Sequence, residues 1–148
     1  MGSDPTRLTV GSWADLGPAA SQVRTAVFVL EQNIPAELEW DVADHTAVHA
    51  VIYNPAGEPV ATGRLLVHAP GVGRIGRMAV LSSLRGSGLG QQVLEALVQA
   101  ARARGDKEVC LHAQTSAQGF YERLGFSPRG DVYAEVGIPH IEMALNIS

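Results

Sequence analysis

Three glycines in the run Arg85-Gly86-Ser87-Gly88-Leu89-Gly90 constrain this chain more than any other feature. An apolar segment, Ile75 to Leu81, precedes the run. Apolar residues at helical spacing follow it: Leu89, Val93, Leu94, Leu97 and Ala101, with Gly105 to end the helix. The pattern predicts a strand that turns directly into a helix. Glycines strip the side chains from that turn, so backbone N–H groups can close around an anion. The helix N-terminus adds its partial positive charge. Such a turn suits a phosphate or pyrophosphate, and the bland alternative is an ordinary glycine-rich turn.

The rest of the chain reads as alternating strands and helices. Residues 6–13 alternate weakly and suit an edge strand. Leu16, Ala20, Val23, Val27 and Phe28 predict a helix near 16–31, started by Asp15 or by Gly17-Pro18. Residues 32–46 lack a period and hold Pro35, Trp40 and most of the acids, so they read as a functional loop with a short helical turn. Ala47–Tyr53 and Pro59–His68 are strand-like runs joined by the turn Asn54-Pro55-Ala56-Gly57. Pro70-Gly71-Val72-Gly73 is the next turn, and Arg74–Leu81 reads as a buried strand. Glu108–Ala113 is a further strand. Ser116 is the expected N-cap of a short helix, Ala117–Leu124, with Gly125 behind it. Tyr133–Val136 and Ile141–Ile147 close the chain as a strand pair around Gly137-Ile138-Pro139. The order β-α-β-β-β-α-β-α-β-β describes one α/β domain over residues 1–148.

Bulk properties narrow the classes. The chain of 148 residues is 46% hydrophobic and 18% charged, as expected of a soluble globular domain. No apolar run approaches the ~20 residues of a membrane span. No secretory leader pattern opens the chain, and the single Cys110 fits a reducing, cytoplasmic setting. Met1-Gly2 with Thr6 formally fits an acylation pattern, a match loose enough to arise by chance. The net charge of −4 argues against nucleic acid as a partner. The charges are segregated. Residues 59–94 contain Arg64, Arg74, Arg77 and Arg85 but no acid. Residues 25–63 contain Glu31, Glu37, Glu39, Asp41, Asp44 and Glu58 but no Lys or Arg. One reading is a protein that joins an anionic ligand to a cationic one; the other is a pair of solvated faces.

Two nucleotide readings of the glycine run fail on spacing. A P-loop needs Lys-Ser/Thr after its last glycine, where Gln91-Gln92 stand. A dinucleotide fingerprint needs its third glycine where Gln91 or Val93 stands. The motif R-x-x-G-x-G, together with the order of elements, resembles the GNAT family of N-acetyltransferases. Further segments resemble its ElaA-like branch: Val27-Phe28-Val29-Leu30-Glu31-Gln32, Ala61-Thr62-Gly63-Arg64-Leu65, Ile75-Gly76-Arg77-Met78-Ala79-Val80, Leu111-His112-Ala113-Gln114, Phe120-Tyr121-Glu122-Arg123-Leu124-Gly125-Phe126 and Gly137-Ile138-Pro139-His140. The resemblance covers nearly the whole chain. It implies a GNAT-like fold with a central mixed, mostly antiparallel sheet flanked by helices, and acetyl-CoA as cosubstrate. It also implies that Arg85, Gly86, Ser87, Gly88, Leu89 and Gly90 hold the pyrophosphate, and that Met78, Ala79 and Val80 bond the pantetheine amides through their backbones.

Acetyl transfer from a thioester to an amine states its own requirements. A free alkylamine has a pKa near 10 and must lose a proton. The carbonyl oxygen needs N–H donors as the tetrahedral intermediate forms. The thiolate then leaves, and an acid can protonate it. The resemblance places Tyr121 near the thioester sulfur, as that acid; the alternative is a helix tyrosine packed beside Phe120 and Phe126. The backbone N–H of Val80 or Ala79 is the expected oxyanion donor. Glu31 and His112 are the first candidates for the base, ahead of His49, Glu135 and His140; Glu135 and His140 flank the last turn. Glu31, Glu39, Asp41 and Asp44 are expected to attract a cationic amine acceptor.

Other patterns carry less. His45-x-x-x-His49 mimics zinc-ligand spacing, but on a strand the two residues stand about 13 Å apart, so no metal is expected. Cys110 between Val109 and Leu111 reads as inert core. Trp13 and Trp40 read as packing residues, Trp40 with a place open to it in the acceptor cleft. The sequence therefore points to direct acetyl transfer to a primary amine, on a small molecule or a peptide, by a chain for which a homodimer is the default. The rival readings are an acyl-CoA-binding sensor without turnover and a nucleotide-dependent phosphotransferase.

Overall fold

The computed structural model describes residues 6–148. Met1 and Gly2, on which the acylation pattern rests, lie outside them. Strand β1 (Arg7–Gly11) leads into helix α1 (Trp13–Arg24), which continues as a π-helical segment, Thr25–Glu31. Two short 3-10 turns, Ala36–Leu38 and Val42–His45, fill the loop before β2 (Val48–Tyr53). Strands β3 (Pro59–Ala69) and β4 (Val72–Val80) precede α2 (Leu89–Ala103). Then follow β5 (Glu108–Gln114), α3 (Gln118–Arg123), β6 (Ser127–Glu135) and β7 (Ile138–Asn146). The strands form one sheet in the order β1-β2-β3-β4-β5-β7-β6. Every neighbouring pair is antiparallel except β4 and β5. This is the GNAT-like α/β fold that the motifs imply. No described helix is long and apolar enough to cross a membrane.

Helices cover both faces of the sheet. Alternate residues of β2 point to opposite sides. Val51 packs against Leu16 and Ala20 of α1, whereas Ala50 and Ile52 join the larger core with Val93, Leu94 and Leu97 of α2. Fully burying one such aliphatic side chain contributes about 1.5–3 kcal/mol, so the buried face of α2 is a main source of stability. Gly63 on β3 allows the close approach. A Cβ there would lie 2.6 Å from the Met78 sulfur and 2.8 Å from Val93.

Several local expectations need correction. Ser12, not Asp15 or Gly17-Pro18, caps α1; its side chain accepts from the Asp15 N–H. Ser116 caps nothing, because residues 115–117 form a 3-10 turn and α3 starts at Gln118. Strand β6 begins six residues before the expected Tyr133. It carries a bulge between Arg129 and Tyr133, where Gly130 takes a φ of +85°. The last turn is Val136-Gly137, with φ of +52° and +76°. This positive pair suits a two-residue hairpin, and it leaves Pro139 paired inside the strand.

Candidate active site

The glycine run forms the predicted turn from β4 into α2. Gly86 and Gly88 adopt φ of +85° and +89°, and a Cβ at either would meet nothing within 4 Å. Backbone conformation, not crowding, therefore requires glycine at both. The first bond of the helix runs from Gln92 N–H to Gly88 O at 3.2 Å. The N–H groups of Leu89, Gly90 and Gln91 lie ahead of it without an intrahelical acceptor, and no side chain caps this end. Several donors thus converge at the positive end of a helix dipole, which fits a pyrophosphate.

A second opening adjoins this turn. Strands β4 and β5 pair in parallel from Val72/Glu108 to Ile75/Leu111 and then separate. The cause lies on the other edge of β4. Thr62 pairs with Ala79 and Arg64 with Gly76, so three steps on β4 match two on β3. The extra residue is a bulge, with Arg77 at φ +51°, and it bends β4 away from β5. Leu81 N–H donates to Val60 O, toward β3, while Val80 O accepts from Arg85 Nε at 3.2 Å. Backbone groups of successive strand residues face opposite edges. Val80 therefore presents its N–H to the gap, and Ala79 is turned to its partner Thr62. A cleft of about 840 Å³ runs from Gly86–Gln91 along Met78–Val80 to Tyr121, His112, Glu135 and His140.

Tyr121 stands on α3 where the cleft meets the sheet. Phe120 and Phe126 hold its ring edge-on, and it is only 8% exposed. Burial pushes its hydroxyl pKa up to about 12. A hydroxyl so placed remains a proton donor at any physiological pH. It forms no hydrogen bond to another protein group among the described residues, although its residue lines the cleft.

The two leading base candidates are placed very differently. Glu31 ends the π-helical segment and pairs with the guanidinium of Arg85, Oε1 at 2.6 Å from Nη2 and Oε2 against Nη1. The hydrogen bond from Arg85 holds its carboxyl below the usual carboxylate range. It does not line the main cleft, which Val27 and Phe28 of the same segment do. His112 lines the cleft, with Nδ1 2.9 Å from Arg74 Nη2 and 3.4 Å from Glu135 Oε1. Glu135 also approaches His140 Nε2 at 3.6 Å. Tyr133 stands edge-on to His112 and stacks on His140. The sequence sets Glu135 and His140 on either side of the last turn; it gives no sign that Arg74, 38 residues from His112, joins them. His49, the remaining candidate, is buried away from the cleft, bonded to Asp44 O at 2.9 Å.

The segregated charges have a different role from the one expected. Arg24 holds Asp44 through two bonds of 2.9 and 3.0 Å, reaches Glu39 O at 2.7 Å, and lies 2.5 Å from Glu39 Oε1. Arg64 binds Asp41 at 2.7 Å and Asp44 at 2.8 Å. Arg77 donates to the Glu39 and Leu38 carbonyls at 2.9 and 3.3 Å. Glu39, Asp41 and Asp44 are thus the partners of buried or half-buried arginines, not a lure for a cationic acceptor. Of the four arginines in residues 59–94, Arg85 alone adjoins the glycine turn. The acidic loop and the basic strands neutralise each other inside one molecule.

The weaker patterns resolve as expected where they concern the core. Cys110 is buried, and burial pushes its thiol pKa up. Among the described residues no group of three or more candidate metal ligands occurs, around His45 and His49 or elsewhere. Trp13 packs on His49 and Arg24. Trp40 is half-exposed beside His45 and does not line the cleft.

Residues 16–147 match the family model described as the acetyltransferase (GNAT) domain. The chain is 40% identical over 135 residues to the protein ElaA of Escherichia coli, covering 87% of this chain and 86% of that one. It is 38% identical over 125 residues to the uncharacterized N-acetyltransferase YjcF of Bacillus subtilis, covering 84% and 88%. Among solved structures, Escherichia coli ElaA superposes with a TM-score of 0.85 at 34% identity, covering 96% of this chain and all of that one. An acyl-CoA N-acyltransferase from Pseudomonas aeruginosa superposes with a TM-score of 0.84 at 39% identity, covering 95% and 99%.

Proposed function

The chain belongs to the GNAT acetyltransferase family and is an acyltransferase, and from that premise we propose that it transfers the acetyl group of acetyl-CoA directly to a primary amine. One observation carries the reading: a single cleft joins the glycine turn, the gap between β4 and β5, and Tyr121. The N–H groups of Gly86, Gly88, Leu89, Gly90 and Gln91, with the side chain of Arg85, take the pyrophosphate, while the Ser87 N–H donates to Leu84 O at 3.3 Å. The open edge of β4 at Met78–Val80 takes the pantetheine as an added strand. A ligand that carries phosphates and an extended diamide arm fits both features at once.

The residues then divide the reaction. Val80 N–H, turned to the gap, stabilises the oxyanion of the tetrahedral intermediate. Tyr121 gives its proton to the departing thiolate and regains one from solvent. The acceptor nitrogen loses two protons overall, one before attack and one as the intermediate collapses. The His112–Glu135–His140 end of the cleft takes up the first, and the second passes to solvent. Glu31 serves as the partner that orients Arg85, and its lowered pKa suits a standing carboxylate better than a base.

Free thiol released from acetyl-CoA in the presence of an amine library tests the reading. Amine-dependent release supports it. Binding of acetyl-CoA without release from any amine would instead make the chain a sensor. Thermal stabilisation by ATP and not by acetyl-CoA would make it neither.

A further inference from the structure

The β6–β7 hairpin brings Glu135, Val136, Ile138 and His140 to one end of the cleft. The hydrogen-bonding groups there are short of protons. His140 Nδ1 lies 2.7 Å from Ile138 O. A carbonyl oxygen only accepts, so Nδ1 carries the hydrogen, and in the neutral ring Nε2 keeps the lone pair. That Nε2 faces Glu135 Oε2 at 3.6 Å. On the other side, Glu135 Oε1 lies 3.4 Å from His112 Nδ1. Arg74 donates to the same Nδ1 at the shorter distance of 2.9 Å, and a guanidinium only donates. His112 Nδ1 is therefore a lone pair as well. The Glu135 carboxylate is bracketed by two ring nitrogens that, like itself, accept. Tyr133 packs against both rings, but its buried hydroxyl forms no hydrogen bond.

Charge sharpens the picture. Two carboxylates line the cleft, Glu39 and Glu135. Glu39 is held by Arg24 at 2.5 Å. Glu135 has no arginine or lysine partner among the described residues, and its side chain is 41% exposed. An alkylammonium group supplies what this end lacks: one positive charge, three N–H donors and no acceptor. Val136 and Ile138, on either side of Gly137, add apolar surface beside it.

We infer that Glu135 and His140, with His112 alongside, form an ammonium subsite, and that the acceptor is a primary monoamine on an apolar stem. This rests on the acetyltransferase reading and names the acceptor end of the same cleft. One N–H of the ammonium meets the Glu135 carboxylate and another meets His140 Nε2. Before the nitrogen attacks, that second N–H bond breaks and an Nε2–H bond forms. The ring becomes an imidazolium whose charge Glu135 offsets, and the freed lone pair makes the new C–N bond. The hydrogen bond to Ile138 O holds the ring in the tautomer that can do this, whereas His112 Nδ1 is already taken by Arg74. A single anionic anchor suits a monoamine; the other acids near the cleft are committed to arginines and offer no second site for a polyamine.

The subsite can be read without catalysis. Phenethylamine, which is protonated at pH 7.5, is titrated into the full chain in the absence of acetyl-CoA, while the histidine side-chain nitrogen resonances are followed. The His140 Nε2 resonance is expected to shift saturably as its lone pair accepts a hydrogen bond. Glu135→Gln is expected to weaken this binding about tenfold, the effect of losing one charge-assisted bond. The trimethylammonium analogue keeps the charge and the stem but has no N–H, and it is expected to bind at least about tenfold more weakly. Equal binding of the two compounds, or an unmoved His140 resonance, overturns the subsite. If Glu135→Gln loses its fold by circular dichroism, the comparison of the two compounds on the unaltered chain decides alone. Failure of every amine to release thiol from acetyl-CoA would sink the acetyltransferase reading separately, because the titration uses no acetyl-CoA.

Discussion

Arg24 and Asp44 meet as a two-bonded pair, Nη1 to Oδ1 at 2.9 Å and Nη2 to Oδ2 at 3.0 Å, with both side chains at most 1% exposed. Asp44 also accepts from Arg64 at 2.8 Å. One carboxylate therefore neutralises parts of two buried cations, and removing it strands both. Asp44→Asn is expected to destabilise the fold by about 3–5 kcal/mol, the range for breaking a buried ion pair from one side. Urea unfolding at pH 7 measures this.

The same pair sets an acid limit. Burial alone would raise the Asp44 pKa, but hydrogen bonds from Arg24 and Arg64 outweigh it and hold the group at about 2, against 3.8 for a free side chain. A carboxyl whose folded pKa is depressed contributes stability that is complete above its unfolded value. That contribution disappears as pH falls from 3.8 through about 2. Stability measured against pH should show this loss in the parent chain, and Asp44→Asn should flatten it.

Tyr121→Phe removes a hydroxyl and leaves the ring packed between Phe120 and Phe126. Turnover is expected to fall about a hundredfold, the low end for losing a general acid, while acetyl-CoA affinity stays within about twofold. With its pKa at about 12, Tyr121 also gives the parent enzyme no alkaline limb below pH 10. Steady-state rates and calorimetric titration check the two halves. Unchanged turnover would remove Tyr121 from the chemistry.

Gly88→Ala tests the cradle. The added Cβ meets no atom within 4 Å, so any effect comes from the φ of +89°. Holding alanine in that left-handed region costs about 1–2 kcal/mol. Because Gly88 opens α2 at the anion site, acetyl-CoA binding is expected to weaken about tenfold. Calorimetry measures the dissociation constant directly.

Glu31→Gln separates a partner from a base. A general base supplies about 10²–10⁴ in rate. As the companion of Arg85, Glu31 should affect turnover by no more than about threefold when neutralised. A hundredfold loss, with acetyl-CoA binding intact, would return Glu31 to the proton path.

What could be read from the sequence was local. The glycine turn, the apolar period of α2 and the succession of strands and helices along the chain each depend on residues close together in the chain. The arginine clamp could not be read. Its members stand 20 residues apart in Arg24–Asp44, 23 in Arg64–Asp41 and 38 in Arg77–Glu39. A count of charges along the chain shows that they are segregated but not that they meet. The bulge at Arg77 was equally hidden, because a single register shift at a non-glycine residue leaves no compositional mark. Ser12 is legible as a cap, because Ser-x-x-Asp ahead of Leu16 is a helix-start signature. Pro128 and Gly130 break the strand pattern of β6, so only its end from Tyr133 shows in the sequence.

The parting of β4 from β5 after Ile75 and Leu111 makes the sheet one continuous body for part of its length and two for the rest. Strands β1 to β4 and strands β5 to β7 are joined by a seam only four residue pairs long, Val72/Glu108 to Ile75/Leu111. Backbone amides at 76–80 that point across the seam have no strand opposite, while those at 72–75 do. The molecule is therefore least cohesive along the line where the proposed ligand would lie. An occupant that spans the opening would stitch the two halves together, so the lifetime of this protein against proteases should follow how often the seam is filled.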